Sequence, residues 1–189
     1  VRQSIYLIGS LRNPEVPLIA EKLRAEGYDV FDDWYAAGPE ADDYWQKYEK
    51  AKGHNYAQAL QGFAADHVYK FDRHHLERCD IAVLLLPAGK SGHLELGWAL
   101  GRGKFGYILL SGEPERYDVM YKFADGIVNT YEELLERMKA DAPRIESGRY
   151  SMGITPASFG LTCSTPFRSE GGSEDRGFRT EPKGNKEIP

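Results

Sequence analysis

The stretch Cys79-Asp80-Ile81-Ala82-Val83-Leu84-Leu85-Leu86-Pro87, continued by Ala88-Gly89-Lys90-Ser91-Gly92-His93-Leu94-Glu95-Leu96-Gly97-Trp98-Ala99-Leu100, decides the fold. Its apolar run from Ile81 to Leu86 lacks polar alternation, as expected of a central strand covered on both faces of a parallel sheet. Proline and glycine then mark a turn, Ser91 reads as a helix cap, and Glu95 falls in the first turns of that helix. A carboxylate beside a Gly-rich loop at the carboxyl end of a strand sits where open α/β sheets bind ligands and where free backbone N–H groups gather. Glu95 is thereby placed to act as an anionic nucleophile.

Working outward, Ser4 to Ile8 reads as a strand ending at Gly9-Ser10. Pro14 to Glu26 carries Val16, Ile19, Ala20 and Leu23 at helical spacing. Gly27 ends that helix, Tyr28 to Phe31 forms a second strand, and Asp32-Asp33-Trp34 follows at its carboxyl end. Residues 35 to 53 are rich in Tyr, Trp, Asp and Lys without clear periodicity and read as a lid or pocket wall. His54 to Cys79 reads as helix with at least one break, its apolar face running through Ala57, Leu60, Phe63, Ala64, His67, Val68, Phe71, His75 and Leu76. A helix from Ser91 to Arg102, a strand from Phe105 to Leu110 and a helix from Thr130 to Lys139, with Thr130 and Glu133 in a capping-box pattern, complete the β/α alternation. The expected fold is therefore α/β, a doubly wound and mainly parallel five-stranded sheet flanked by helices. Beyond about Asp141 aliphatic residues give way to Gly, Ser, Pro and charge, so the expected division is an α/β domain over 1–146 and a flexible tail over 147–189.

At 189 residues the chain holds enough apolar side chains for one cored domain. A formal net charge of -5 argues against nucleic acid polymers, which are held mainly through clustered Lys and Arg. Two cysteines, Cys79 and Cys163, with no CxxC pair give no disulfide framework or thiolate cage, so a reducing cytoplasm is the expected location. The longest apolar run is too short to span a bilayer and no leader pattern is seen, so no membrane partner is expected. His67, His74, His75 and Cys79 lie close in sequence, but no HExxH or carboxylate ligand set accompanies them, and neither a metal nor a cofactor is expected.

The residues able to do chemistry gather at the strand ends. Asp33 after the second strand, Asp72 in the helix before the third, and Glu95 after it supply three acids, a set suited to cleaving a glycosidic bond. One carboxylate attacks the oxocarbenium-like C1′ while another assists the leaving group. An isolated Glu in a first turn ordinarily just complements the helix dipole, and an exposed Asp72 would only pair with a basic neighbour; the loop around Glu95 is what favours chemistry. Tyr6, ordinarily a core residue, has a hydroxyl that could orient Glu95. Gly9-Ser10-Leu11-Arg12-Asn13 offers backbone N–H groups and a guanidinium for a sugar hydroxyl or phosphate, though turns commonly use such residues. It is neither GxGxxG nor a Walker loop. Trp34, with Tyr35, Tyr44 and Trp45, is a candidate for stacking on a base.

Tyr6 and Gly9-Ser10 on the first strand, Asp72 eight residues before Asp80, and Ser91-Gly92-His93-Leu94-Glu95-Leu96-Gly97 opening a helix together resemble the nucleoside 2-deoxyribosyltransferase superfamily, which includes deoxynucleoside 5′-monophosphate N-glycosidases. The resemblance covers about Ile5 to Lys139 and implies a Rossmann- or flavodoxin-like sheet. It implies that Glu95 is the nucleophile forming a glycosyl ester, that Asp72 assists at the base or sugar, and that Tyr6 positions Glu95. Gly9, Ser10, Arg12, Asp33, Trp34, Ser91, Gly92 and His93 are then the candidate substrate-binding residues. It also implies a homodimer or larger homo-oligomer in which a neighbouring chain completes each pocket. Gly89 departs from the pattern: the transferases carry an acid there and the monophosphate hydrolases a phosphate-binding Ser. Met120 to Gly126 resembles the hydrolases' partner-contributed segment, yet Asp118 stands where a phosphate-binding hydroxyl is expected. The substrate is thus a small (deoxy)nucleoside or nucleotide, with transferase and hydrolase both open. The alternatives are a deoxynucleoside 5′-monophosphate N-glycohydrolase, an NAD-type glycohydrolase and a nucleotide-sensing module without turnover.

Overall fold

The structure, a computed structural model, describes residues 2–147. The chain divides into two units, Val1–Gly153 and Ile154–Pro189; the second, and the expected tail from 148 onward, lie outside the described residues.

Five strands form one parallel sheet: β1 Ser4–Ile8, β2 Asp29–Phe31, β3 Ile81–Leu85, β4 Phe105–Leu109 and β5 Gly126–Val128, in the order β2-β1-β3-β4-β5. Every pairing is parallel, with Tyr6 set between Phe31 of β2 and Ala82 of β3. The helices are α1 Glu15–Ala25, α2 Ala41–Ala51, α3 Tyr56–Ala59, α4 Phe63–Arg78, α5 Lys90–Gly101 and α6 Tyr131–Glu146. Period-two alternation sorts the strand side chains onto two faces. Ile5, Leu7, Ile81, Val83 and Leu85 pack with Val16 and Leu23 of α1 and Leu134 and Met138 of α6. Tyr6, Ile8, Ala82 and Leu84 pack with Leu76 of α4 and Leu96 and Ala99 of α5. The doubly wound α/β architecture is the one expected, and the sheet is wholly parallel.

Four local readings are corrected. Residues 35 to 53 are not irregular: a 3-10 turn, Asp33–Ala37, leads into α2. Of the α2 side chains only Glu49 is buried, so the helix shows no apolar stripe; polar contacts hold it instead, among them Lys47 over the Tyr44 ring and Lys52 over Tyr48. Ser91 is not the cap of α5. Gly89 is, with extended backbone and no side-chain cap, and Ser91 lies one residue inside the helix. The α6 helix runs seven residues past Lys139, through Pro143, because buried Asp141 ties it down by accepting from Tyr107 Oη at 3.1 Å, Arg137 Nε at 3.0 Å and Arg144 Nη1 at 2.7 Å. The expected apolar face of α4 is turned largely outward. Phe63 is 96% exposed and Val68 and Phe71 are exposed, while Leu76 is buried. The expected break within His54 to Cys79 is present: α3 ends at Ala59 and Gly62 caps α4. The fifth strand had no visible signal, since β5 is three residues long with only Val128 buried.

Candidate active site

The alternation of β1 sends Tyr6 to the α4/α5 face, where it is 1% exposed with its ring 5.2 Å from Phe31. Phe31 stacks on His75 at 3.7 Å, and Phe71 closes the cluster at 5.0 Å from His75. Asp72 and His75 are three apart on α4, and Glu95 lies six residues past the Gly89 cap of α5. The three groups feel one another's charge. Burial pushes the Tyr6 phenol well above its ordinary value, and the charges of Glu95 and then Asp72 add to it. Glu95 is pushed up to about 7, first by burial and then by the charge of Asp72. Asp72 is pushed up to about 6 by burial, and one of its oxygens is enclosed with no partner.

Among the described residues neither Glu95 nor Asp72 has an ion-pair partner or a hydrogen bond. Two desolvated carboxyls without a cation exchange a proton with a ligand readily near neutral pH, which is the environment of acid, base and nucleophile pairs.

The other expected site residues fall into separate groups. Gly9 is demanded by packing, since a Cβ there would lie 2.7 Å from Val16 Cγ2 and 3.5 Å from the Trp34 ring. Gly92 is demanded likewise, by Ile8 at 2.9 Å and Leu84 at 3.1 Å, which lets α5 approach the sheet. Trp34 donates its indole N–H to the Leu7 carbonyl at 2.9 Å and packs against both core clusters, so its ring is part of the wall joining β1 to β2. Asp33 is exposed at the start of the 3-10 turn, where its charge reaches His75. Ser91 is exposed on the first turn of α5. His93 Nδ1 lies 2.8 Å from the Gly89 carbonyl, which can only accept, so Nδ1 donates there, and Nε2 is hydrogen-bonded to Tyr121 Oη at 2.8 Å. That bond pins the 3-10 turn Val119–Phe123 against α5. Asp118 caps this turn, accepting from Met120 N at 2.9 Å, which explains an acid at that position.

Ser10 and Arg12 border a cleft of about 430 Å³ between the β1–α1 and β3–α5 loops, with Asn13, Glu15 and Ser111. This is the point where the chain winds off the sheet in opposite directions. A second hollow of about 330 Å³ shares Glu15 and Ser111 and extends over the ends of β3 and β4 to Tyr131. Tyr6, Asp72 and Glu95 border neither; Tyr6 lies on the sheet face that α4 and α5 cover, with Asp72 on α4 and Glu95 on α5. Sequence reading placed Asn13 in the loop that borders this cleft but missed Glu15 and Ser111, and the Phe31–His75 stack. Phe71 and His75 had a signal in their i, i+4 spacing beside Asp72; Ser111 had none.

Among the described residues no group of three His, Cys, Asp or Glu side chains could hold a metal ion. Cys79 is buried with its thiol pushed up to about 11, chiefly by burial, and it donates to the Leu76 carbonyl. Nor is any described helix long and apolar enough to cross a membrane.

No protein-family model matches the chain, and no curated protein matches it. Similar solved structures include a CMP N-glycosidase of Clostridium botulinum, 18% identical over 72% of this chain and 99% of that one, with a TM-score of 0.42. A 2-deoxyribosyltransferase from Bacillus psychrosaccharolyticus is 19% identical over 69% of this chain and 89% of that one, with a TM-score of 0.49. A CheY-like response regulator receiver domain from Methanospirillum hungatei is 14% identical over 79% of this chain and all of that one, with a TM-score of 0.45.

Proposed function

We propose that the chain cleaves or exchanges the N-glycosidic bond of a small (deoxy)nucleoside or nucleotide, with Glu95 as nucleophile. The observation that carries this reading is the pair of half-buried carboxyls, Glu95 and Asp72, raised to about 7 and about 6 with no neutralising cation among the described residues. A Glu95 oxygen bonds to C1′ as the C1′–N bond breaks, the electron pair leaves with the base, and the Asp72 O–H supplies the proton that neutralises it. Water or a second base, giving its proton to the Asp72 carboxylate, then attacks C1′ as the ester C1′–O bond breaks, which frees Glu95 and restores the Asp72 O–H. Tyr6, enclosed beside both acids, acts by orienting the Glu95 carboxyl.

The mechanism needs one proton on the pair, which defines a window between about 6 and about 7.

Support for a homo-oligomer comes from exposed apolar side chains on the elements that carry or adjoin the acids: Phe63 and Phe71 on α4, Leu94 next to Glu95, and Val119, Met120 and Phe123 on the pinned turn. A second copy covering them would reduce the access of water to this face.

The test is base release from nucleosides by the wild type and by Glu95→Ala, with fold checked by circular dichroism. The variant is expected to be inactive and folded; unchanged turnover rejects the mechanism. Adding a second free base separates the two outcomes of the intermediate, since a transferase yields a new nucleoside and a hydrolase only free sugar.

A further inference from the structure

The second hollow at the carboxyl edge of the sheet lies on the face away from the acids. Its apolar lining includes Ile19 of α1 with Leu85 and Leu109 from the ends of β3 and β4, and all three belong to the core under α1 and α6, whereas Tyr6 packs beneath α4 and α5. Exposed Leu18 and half-buried Leu110 extend the apolar wall. The α1 residues that line it, Glu15, Leu18, Ile19 and Lys22, follow the i, i+3, i+4, i+7 spacing of one helical stripe. That stripe begins with a carboxylate and ends with an ammonium. Both are exposed, and among the described residues neither makes an ion pair. Lys22 Nζ instead lies 5.1 Å from the centroid of the Tyr131 ring, which also lines the hollow.

We infer that this hollow is a binding site for a small zwitterion, of the class of an α-amino acid with an aliphatic side chain, its ammonium on Glu15 and its carboxylate on Lys22. The inference goes beyond the Glu95 reading and stands without it. The sheet separates the hollow from Tyr6, so its ligand is a second molecule rather than the sugar under attack. Size points the same way, because about 330 Å³ is at the lower end of the range of about 300 to 1,000 Å³ for small-ligand sites. In the α1 helix the i, i+7 pair Glu15 and Lys22 is separated by about 10 Å along the axis. An amino acid hydrogen-bonded at each end, at about 2.8 Å per bond, fills most of that span. Charge then sets the class. An anion on Lys22 that carries no ammonium faces the Glu15 carboxylate, and a cation on Glu15 that carries no carboxylate faces Lys22; a ligand with both charges meets both walls. Its aliphatic side chain covers Leu18, Ile19 and Leu110, which removes apolar surface from water.

The experiment is calorimetric titration with L-leucine, with L-leucinamide, which lacks the carboxylate, and with N-acetyl-L-leucine, which lacks the ammonium. It uses the wild type, Glu15→Gln and Lys22→Gln; both side chains are exposed, and circular dichroism checks that the variants fold. The wild type is expected to bind leucine saturably, with Kd of about 1 mM or below, and each one-charge analogue about tenfold or more weakly. Each variant is expected to bind leucine about tenfold less tightly than the wild type does. The loss is charge-specific: Lys22→Gln removes the preference for leucine over leucinamide, and Glu15→Gln removes that over N-acetyl-leucine. No saturable binding of leucine, analogues that bind as well as leucine, or an affinity left unchanged by either variant overturns the inference and leaves the Glu95 chemistry untouched. Base release bears on the other site alone, so the two readings fail separately.

Discussion

Two buried-acid environments in this molecule are built in opposite ways. Asp141, 5% exposed, faces the far side of the sheet and accepts from Tyr107, Arg137 and Arg144. Glu49, 3% exposed, is closed by His54 at 2.6 Å and Lys52 at 3.6 Å, and the His54 bond holds its carboxyl below the ordinary range. Asp72 on α4 and Glu95 on α5 have neither hydrogen bond nor ion pair among the described residues, and both are pushed up. Partnered acids fasten elements together: Asp141 joins α6 to β4, and Glu49 secures the turn from α2 to α3. Unpartnered ones lower stability, and a chain retains that cost where a ligand is to meet them.

The comparison breaks if acids of the two kinds respond alike to substitution. Glu95→Gln is expected to lose base release by about a thousandfold or more, read from steady-state kinetics, because it removes the attacking carboxylate. Asp72→Asn should lower kcat by about a hundredfold to ten-thousandfold, least for bases that leave easily without a proton. It should also remove the alkaline limb from the pH profile of kcat/KM, which in the wild type is bell-shaped with limbs near 6 and 7.

The same acids separate by stability. Glu95 is raised from 4.5 to about 7, so over that window the unfolded chain binds fewer protons than the folded one and stability falls as pH rises through it. Glu95→Gln removes the fall, so the variant should gain up to about 3 kcal/mol over the wild type at pH 8 and little at pH 4.5, as measured by urea unfolding. Asp141→Asn should do the reverse, costing about 2 kcal/mol at neutral pH with activity retained, since it strands two guanidinium groups that are themselves half-exposed. Arg12→Ala, which breaks an exposed pair with Asp43, should change stability by less than about 0.5 kcal/mol.

What the sequence made legible follows from which signals are local. Four strands and α1 declared themselves because their buried faces are continuous apolar runs or helical stripes, as in Ile81–Leu85 and Val16 to Leu23. The helix α2 did not, since tertiary and i, i+3 or i+4 polar contacts replace an apolar stripe there. Nor did β5, whose three residues depend on pairing Tyr107 with Gly126 for their conformation. The α4 pattern was apolar as expected, yet periodicity alone could not tell that Phe63 and Phe71 face outward and Leu76 inward. In the site, Tyr6, Asp72 and Glu95 were named from sequence by their places in the β/α order and by a family resemblance. That Gly9 and Gly92 answer to packing at 2.7 and 2.9 Å, and that Trp34 is tied to Leu7, are facts of three-dimensional contact that no spacing encodes.

The most direct test of the account is covalent trapping at position 95. Incubation with a 2′-fluorinated nucleoside, which slows breakdown of a glycosyl ester, followed by proteolysis and mass spectrometry, should find the sugar on the peptide that carries Glu95 and none after Glu95→Gln. A sugar carried by the Asp72 peptide, or no adduct although base is released, would contradict it.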